Sequence, residues 1–353
     1  MLKGFGYHIG FLSCWLTLAM LSSCTMIDED LSDCVEPDQE AEINYELRLM
    51  TNITTEITTK LSTEADQKLA AALREHLKGV FTDFAHDVDL SFYDTQGDSV
   101  RLHHDQHIMD ASQVSYTLTL PMHQYMHLAS ANLLNEKQVS LVDDGYCHPS
   151  KLQQVSRDTV DSHTTGLFTA RLPMDVKKDV DQDFYVRLYM ANCAAVLVVD
   201  PRGIDAKGMK VYSTGFATGL NICDSSYVYQ EQAPIVNTTL VGQVNDNEEF
   251  GFCSVTFPSK DRKKTRSVIE TTFDTEDSGE TLWEFKVYVR NPTDQNSITQ
   301  SIVRVSSPLQ AGELIILKGW LDDKGGFNTD EKETVAVSVT LDWNKNQEHE
   351  VPL

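Results

Sequence analysis

The sequence predicts an all-β chain, two tandem β-sandwich domains with one short helix in the first. Three observations predict it. Apolar and polar residues alternate at period two through several runs, as strands buried on one face require. Clusters of Asp, Gly, Asn and Pro, the residues that turn chains, separate these runs. The chain has 353 residues, enough for two ordinary domains once a leader is set aside.

Residues 1–23 have the layout of a lipoprotein signal peptide. Lys3 supplies a basic start, and an apolar stretch follows from about Phe11 to Leu21, too short for a permanent membrane span of ~20 residues. Leu21-Ser22-Ser23-Cys24 then ends the leader on a cysteine where an ordinary signal would carry an Ala-x-Ala site. This resembles the bacterial lipobox, in which the cysteine thiol takes diacylglycerol and the leader is cut before it. Two or more acyl chains hold a protein stably on a membrane, at about 0.8 kcal/mol per buried CH2. The alternative is that Cys24 is incidental and the mature chain is freely secreted. Residues 24–41 are polar and acidic, with Asp28-Glu29-Asp30 and Asp33, and are expected to form a tether.

Residues 42–178 and 179–353 are the expected domains. Within the first, Thr63 and Asp66 suggest a capping box, Leu69, Ala72, Leu73 and Leu77 an apolar stripe, and Gly79 a stop, so a helix is predicted there. Tyr116, Leu118 and Leu120 alternate with threonines as a strand. The charged stretch 175–183 lacks a sustained apolar period and is the expected link. Phe184 to Met190, Trp283 to Val289 and Val335 to Trp343 then alternate as strands.

The formal net charge of −24 argues against nucleic acid, which attracts Lys and Arg clusters. The basic run Lys260–Arg266 follows Pro258 and is expected as a solvated loop. Five of seven cysteines lie beyond Cys24: Cys34, Cys147, Cys193, Cys223 and Cys253. An odd count outside the inner membrane leaves a free thiol or an intermolecular bridge. Cys193 adjoins the apolar run Ala194–Val199 and is expected to be buried as a small hydrophobe. Cys34 and Cys147, in polar, loop-like surroundings, are the preferred disulfide pair.

Chemistry-bearing motifs are weak. His123 and His127 have metal-like spacing if helical, but Gln124 stands where a zincin needs glutamate. A strand or turn is the expected setting, and four strand residues span about 13 Å. His103-His104-Asp105-Gln106-His107 is expected as a surface loop able to collect adventitious metal. No nucleophile elbow, phosphate loop or dinucleotide fingerprint occurs. The sequence calls for no catalytic residue, metal or cofactor, and the chain is expected not to be an enzyme.

Several segments together carry a family resemblance: Glu29–Cys34 behind the lipobox, Asp89-Leu-Ser-Phe-Tyr-Asp-Thr-Gln-Gly97, Tyr116-Thr-Leu-Thr-Leu-Pro121, Leu188–Val196, Gly215–Asn221 and Val337–Trp343. Their order resembles the FimB-like anchor and accessory subunits of the type V fimbriae of Bacteroides-type bacteria, over nearly the whole mature chain. The resemblance implies transthyretin-like Greek-key sandwiches, a lipid anchor in the outer membrane, other fimbrial subunits as partners and no catalytic residues. The acidic cluster after Cys24 resembles the export signal of surface lipoproteins in such bacteria.

Pilins of this kind are expected to polymerise when a protease removes an N-terminal strand and a neighbour's C-terminal strand fills the groove. Few basic residues precede the first core here (Arg48, Lys60, Arg74), so the first sandwich is expected to stay uncut. Val335, Val337, Val339, Leu341 and Trp343 are the candidate assembly strand, or else that strand completes its own sandwich. The rival reading is a surface lipoprotein that binds a glycan or another host or bacterial surface ligand. It calls for exposed aromatic residues, and Trp320 is the best candidate. Replacing Cys24 by Ala is expected to release the protein from the membrane fraction or leave an uncut precursor; a processed, membrane-bound variant would refute the anchor.

Overall fold

A computed structural model of the chain describes residues 40–49, 61–63, 65–82, 84–108, 115–178, 180–244, 248–260, 282–293, 298–329 and 335–337. Its fold is mainly β, as the alternation predicts. The largest sheet contains β1 (Glu40–Leu49), β2 (Asp87–Asp94), β3 (Arg101–Ile108), β4 (Ser115–Pro121), β5 (Gln124–Ala131), β9 (Phe168–Asp175) and β10 (Asp183–Met190), in the order β3-β2-β5-β9-β10-β1-β4. A small sheet of β6 (Val139–Val142), β7 (Lys151–Gln154), β13 (Gly219–Asn221) and β14 (Ser226–Val228) runs β14-β13-β7-β6. A five-stranded sheet of β8 (Thr159–Asp161), β12 (Lys210–Thr214), β15 (Ile235–Asn237), β18 (Trp283–Arg290) and β19 (Ile298–Val305) runs β19-β18-β12-β15-β8. The fourth holds β11 (Cys193–Asp200), β16 (Thr239–Val241), β17 (Phe250–Thr256), β20 (Leu314–Leu321), β21 (Phe327–Thr329) and β22 (Val335–Val337). It runs β16-β17-β11-β20-β21, with β22 also on β20.

Strand parity explains how these sheets stack. On β11, Ala194, Val196 and Val198 face one core while Cys193, Ala195, Leu197 and Val199 face another. The first core also takes Leu90 and Phe92 of β2, Val186 and Leu188 of β10 and the helix. The second lies against Val211, Val236, Trp283, Phe285 and Val287 of the five-stranded sheet. A continuous apolar run such as Ala194–Val199 is what burial on both faces demands. A third core forms where Tyr93 and Leu128, on the far side of the large sheet, meet Val139, Leu152 and Leu220 of the small one.

The predicted helix, α1, covers Gln67–Leu77. Its N-cap is Asp66, whose carboxylate accepts from the Lys68 and Leu69 amides at 2.9 and 2.8 Å, so the cap falls three residues after Thr63. Leu69, Ala70, Leu73 and Leu77 are buried against the first core. Lys78 closes the helix in a right-handed conformation, and Gly79 is not in the left-handed region expected of a glycine stop.

The stretch 175–183, expected as the link between domains, joins β9 to β10, which pair antiparallel in one sheet (Tyr189 with Thr169, Met190 with Phe168). A boundary at 178/179 therefore falls inside a sheet. An exposed turn and a linker share the same charged composition, which is why the sequence does not separate them. The two halves also interleave. β7 pairs with β13 (Leu152 with Leu220) and β8 pairs parallel with β15 (Val160 with Val236). Gly166 threads this region where nothing larger fits, since a Cβ there would sit 1.9 Å from the Val80 carbonyl oxygen.

Two histidines are sealed inside. His127 of β5 stacks on Phe92 with ring centroids 4.3 Å apart. Its Nδ1 lies 3.0 Å from the Ser91 carbonyl, which can only accept, so Nδ1 donates there and Nε2 accepts from the Tyr45 hydroxyl at 2.6 Å. Burial holds this ring down to about 4, against the Ser91 hydrogen bond. Burial likewise lowers His163 to about 4; its ring lies 5.1 Å from Phe257. An unfolded histidine titrates near ~6.5. Between that value and about 4 the unfolded chain binds a proton that the native chain refuses. Stability is thus complete above pH ~6.5 and falls as pH drops toward 4, with His127 contributing about 3 kcal/mol. Urea unfolding followed from pH 7 to 4.5 is expected to show this loss, and His127→Gln should make the slope shallower. An unchanged slope in the variant would contradict this origin.

Candidate functional site

The C-terminal edge of the six-stranded sheet is the candidate assembly site. One side of β20 is paired along its length with β11, from Ala194 with Leu314 to Asp200 with Trp320. Along the other side, among the described residues, lie β21 and residues 335–337 of β22. β21 takes Gly319–Leu321, and β22 takes Leu314–Ile316, with Val337 opposite Leu314 and Val335 opposite Ile316. Gly319 allows β21 to approach, because a Cβ there would sit 2.3 Å from the Asn328 carbonyl oxygen and the Phe327 ring. Val335 and Val337 thus lie beside their own chain's β20; Val339, Leu341 and Trp343 fall outside the described residues. At this edge the backbone over the buried side chains of Leu314 and Ile316 pairs with residues 335–337, the kind of pairing that strand addition uses.

Other sequence candidates are scattered. Cys24 and Cys34 lie outside the described residues, as does the basic run beyond Lys260. Cys147 lies in the polar turn between β6 and β7, as its neighbours suggest, but its side chain is buried in the third core with its sulfur 2.6 Å from that of Cys223. Sequence reasoning missed this neighbour, because no motif connects residues 76 positions apart. Cys193 is fully buried, as expected, and donates to the Thr256 carbonyl at 3.4 Å.

His103, His104 and His107 belong to β3, an edge strand, rather than to a loop. Polar residues on both faces suit a strand paired on one side only. His104 contacts the nearly buried Asp89 at 2.9 Å, and His103 contacts Asp105 at 2.8 Å. His127 turns inward from β5, while His123 precedes that strand and contacts Asp94 at 2.7 Å. Among the described residues no group of three or more His, Cys, Asp or Glu side chains could hold a metal ion.

Trp320 is only partly exposed and lies under the Arg202 guanidinium, 4.2 Å from its ring centroid. A different surface carries a groove. On the outer face of the five-stranded sheet, Lys207, Gly208, Lys210, Tyr212, Tyr288, Arg290 and Ile298 line a cleft of about 420 Å³. The two tyrosines meet edge to face at 5.8 Å. Among the described residues no acidic side chain lines the cleft, and Lys207, Lys210 and Arg290 make no ion pair. In a chain of net charge −24 this is a local reversal of sign. Among the described residues no helix is long and apolar enough to cross a membrane.

No protein-family model matches the chain, and no curated protein does. Solved structures do. The chain is similar to a candidate polysaccharide-binding protein from Bacteroides thetaiotaomicron, with 9% identity, a TM-score of 0.52 and coverage of 84% of this chain and 100% of the other. It is also similar to a candidate adhesin from Bacteroides ovatus, with 13% identity, a TM-score of 0.50 and coverage of 86% and 94%. The fimbrial anchor protein Mfa2 from Porphyromonas gingivalis is similar at 10% identity and a TM-score of 0.43, with coverage of 79% and 91%. At these identities the likeness is one of fold.

Proposed function

We propose that this chain is a structural subunit of a cell-surface fimbria, an anchor or accessory (tip) subunit tethered to the outer membrane through lipid on Cys24. The observation that carries the proposal is the pairing of residues 335–337 with β20 beside β21, which places this part of the chain on the edge of the six-stranded sheet, where strand addition works. The reading is supported by the ordered segments from Glu29 to Trp343 that resemble FimB-like subunits, and by the fold shared with the candidate adhesin. Its work is mechanical and adhesive rather than catalytic. The first domain keeps its N-terminal strand, so this subunit joins a fibre at one end, by residues 335–343 or by another surface.

A chain truncated after Thr329 tests the joint. The shortened protein is expected to fold, reach the cell surface and lose its fimbrial partner in pull-down from cells that assemble fibres. Retention of that partner would exclude the terminal strand as the joint.

The groove favours a second reading, a surface lipoprotein that binds an acidic glycan. Lys207, Lys210 and Arg290 answer carboxylate or sulfate groups, and tyrosine rings offer apolar faces to sugars. A panel of carboxylated, sulfated and neutral oligosaccharides separates the two readings. Binding confined to the acidic members, and weakened about tenfold or more by Arg290→Ala, supports the glycan role; no binding to any member opposes it.

A further inference from the structure

We propose that Cys147 and Cys223 form an intramolecular disulfide that staples the two halves of the chain along the small sheet. The inference does not rest on the fimbrial reading. Both thiols are buried in the third core, and their sulfurs lie 2.6 Å apart, where a disulfide bond needs about 2.05 Å. Cys147 sits in the turn between β6 and β7, Cys223 in the turn between β13 and β14.

Both turns are held in place without the bond. Cys147 donates its amide to the Ser99 carbonyl at 3.1 Å, and Ile222 donates its amide to the Ser150 carbonyl at 3.0 Å. The Tyr93 hydroxyl bridges Asp143 at 3.0 Å and Ser150 at 2.8 Å, and Arg101 pairs with Asp143. The neighbouring β7·β13 pairing fixes the register between the two turns, Leu152 opposite Leu220.

The remaining cysteines favour this pair. Cys193 and Cys253 face opposite sides of the six-stranded sheet, one in the second core and one in the first, so they cannot meet. His148 Nδ1 lies 3.8 Å from the Cys223 sulfur, near enough to take up its proton as the thiolate forms.

The oxidation balances with a disulfide-form oxidant, oxidised glutathione or a thiol–disulfide oxidoreductase. One thiolate attacks the oxidant and releases a reduced thiol. The second thiolate then attacks the mixed disulfide and releases the other. Two thiol protons and two electrons leave the protein, and one S–S bond forms. Burial pushes the Cys147 thiol up to about 12, so the exchange proceeds while the turn is transiently open.

The test uses the full chain, reduced and then incubated with excess oxidised glutathione in urea below the unfolding transition. Free thiols are then alkylated under acid denaturation. Digestion uses trypsin with a protease that cuts after glutamate, which separates Cys223 from Cys253 at Glu231, Glu248 and Glu249. The expected result is one linked peptide pair joining Cys147 to Cys223, kept in Cys34→Ala and lost in Cys223→Ser. The oxidised chain should melt about 5 °C or more above the reduced one, since the bond closes a 76-residue loop. Alkylation of both residues after treatment, or a link from Cys147 to Cys34, would overturn the proposal.

Discussion

The six-stranded sheet is buried on both faces, and the remaining layers depend on that. A strand with solvent on neither side cannot alternate polar with apolar residues, so β11 must be apolar throughout. Its even-numbered residues complete the core under the large sheet and α1, and its odd-numbered ones complete the core under the five-stranded sheet. A polar residue from Ala194 to Val199 would need a partner in the facing layer, as Ser254 of β17 has in Ser213 at 2.9 Å.

Much of this was legible in the sequence for a physical reason. Period-two alternation survives where one face of a strand meets solvent or a loosely packed neighbour, and β4, β10 and β18 show it plainly. The run beside Cys193 was legible as buried because an unbroken apolar stretch leaves neither face of a strand fit for water. The helix was legible from its stripe, although Asp66 rather than Thr63 caps it; closely spaced acceptors make equally good candidates until the backbone chooses.

The rest was hidden because it depends on partners far away in sequence. Strands of three residues, such as β8, β13 and β15, are too short to show a period. Their pairing across the chain is a tertiary fact. The burial of Cys147 was hidden because its neighbours Asp143, Asp144, Gly145 and His148 are turn residues, with Asp144 and His148 in solvent, while its own side chain points into the third core. The stretch 175–183 has a linker's composition because a turn between neighbouring strands has the same need for solvation. The groove was hidden too. Lys207, Lys210 and Arg290 are about 80 residues apart at their widest, and only the adjacency of β12 and β18 brings them together.

The interleaving of β7 with β13 and of β8 with β15 bears on the order in which the chain can be completed. Residues 151–161 emerge early, but the edges that receive them belong to residues 219–237. Until those later residues arrive, the early strands carry unpaired backbone groups and half of a core. Such long-range pairing makes folding slow.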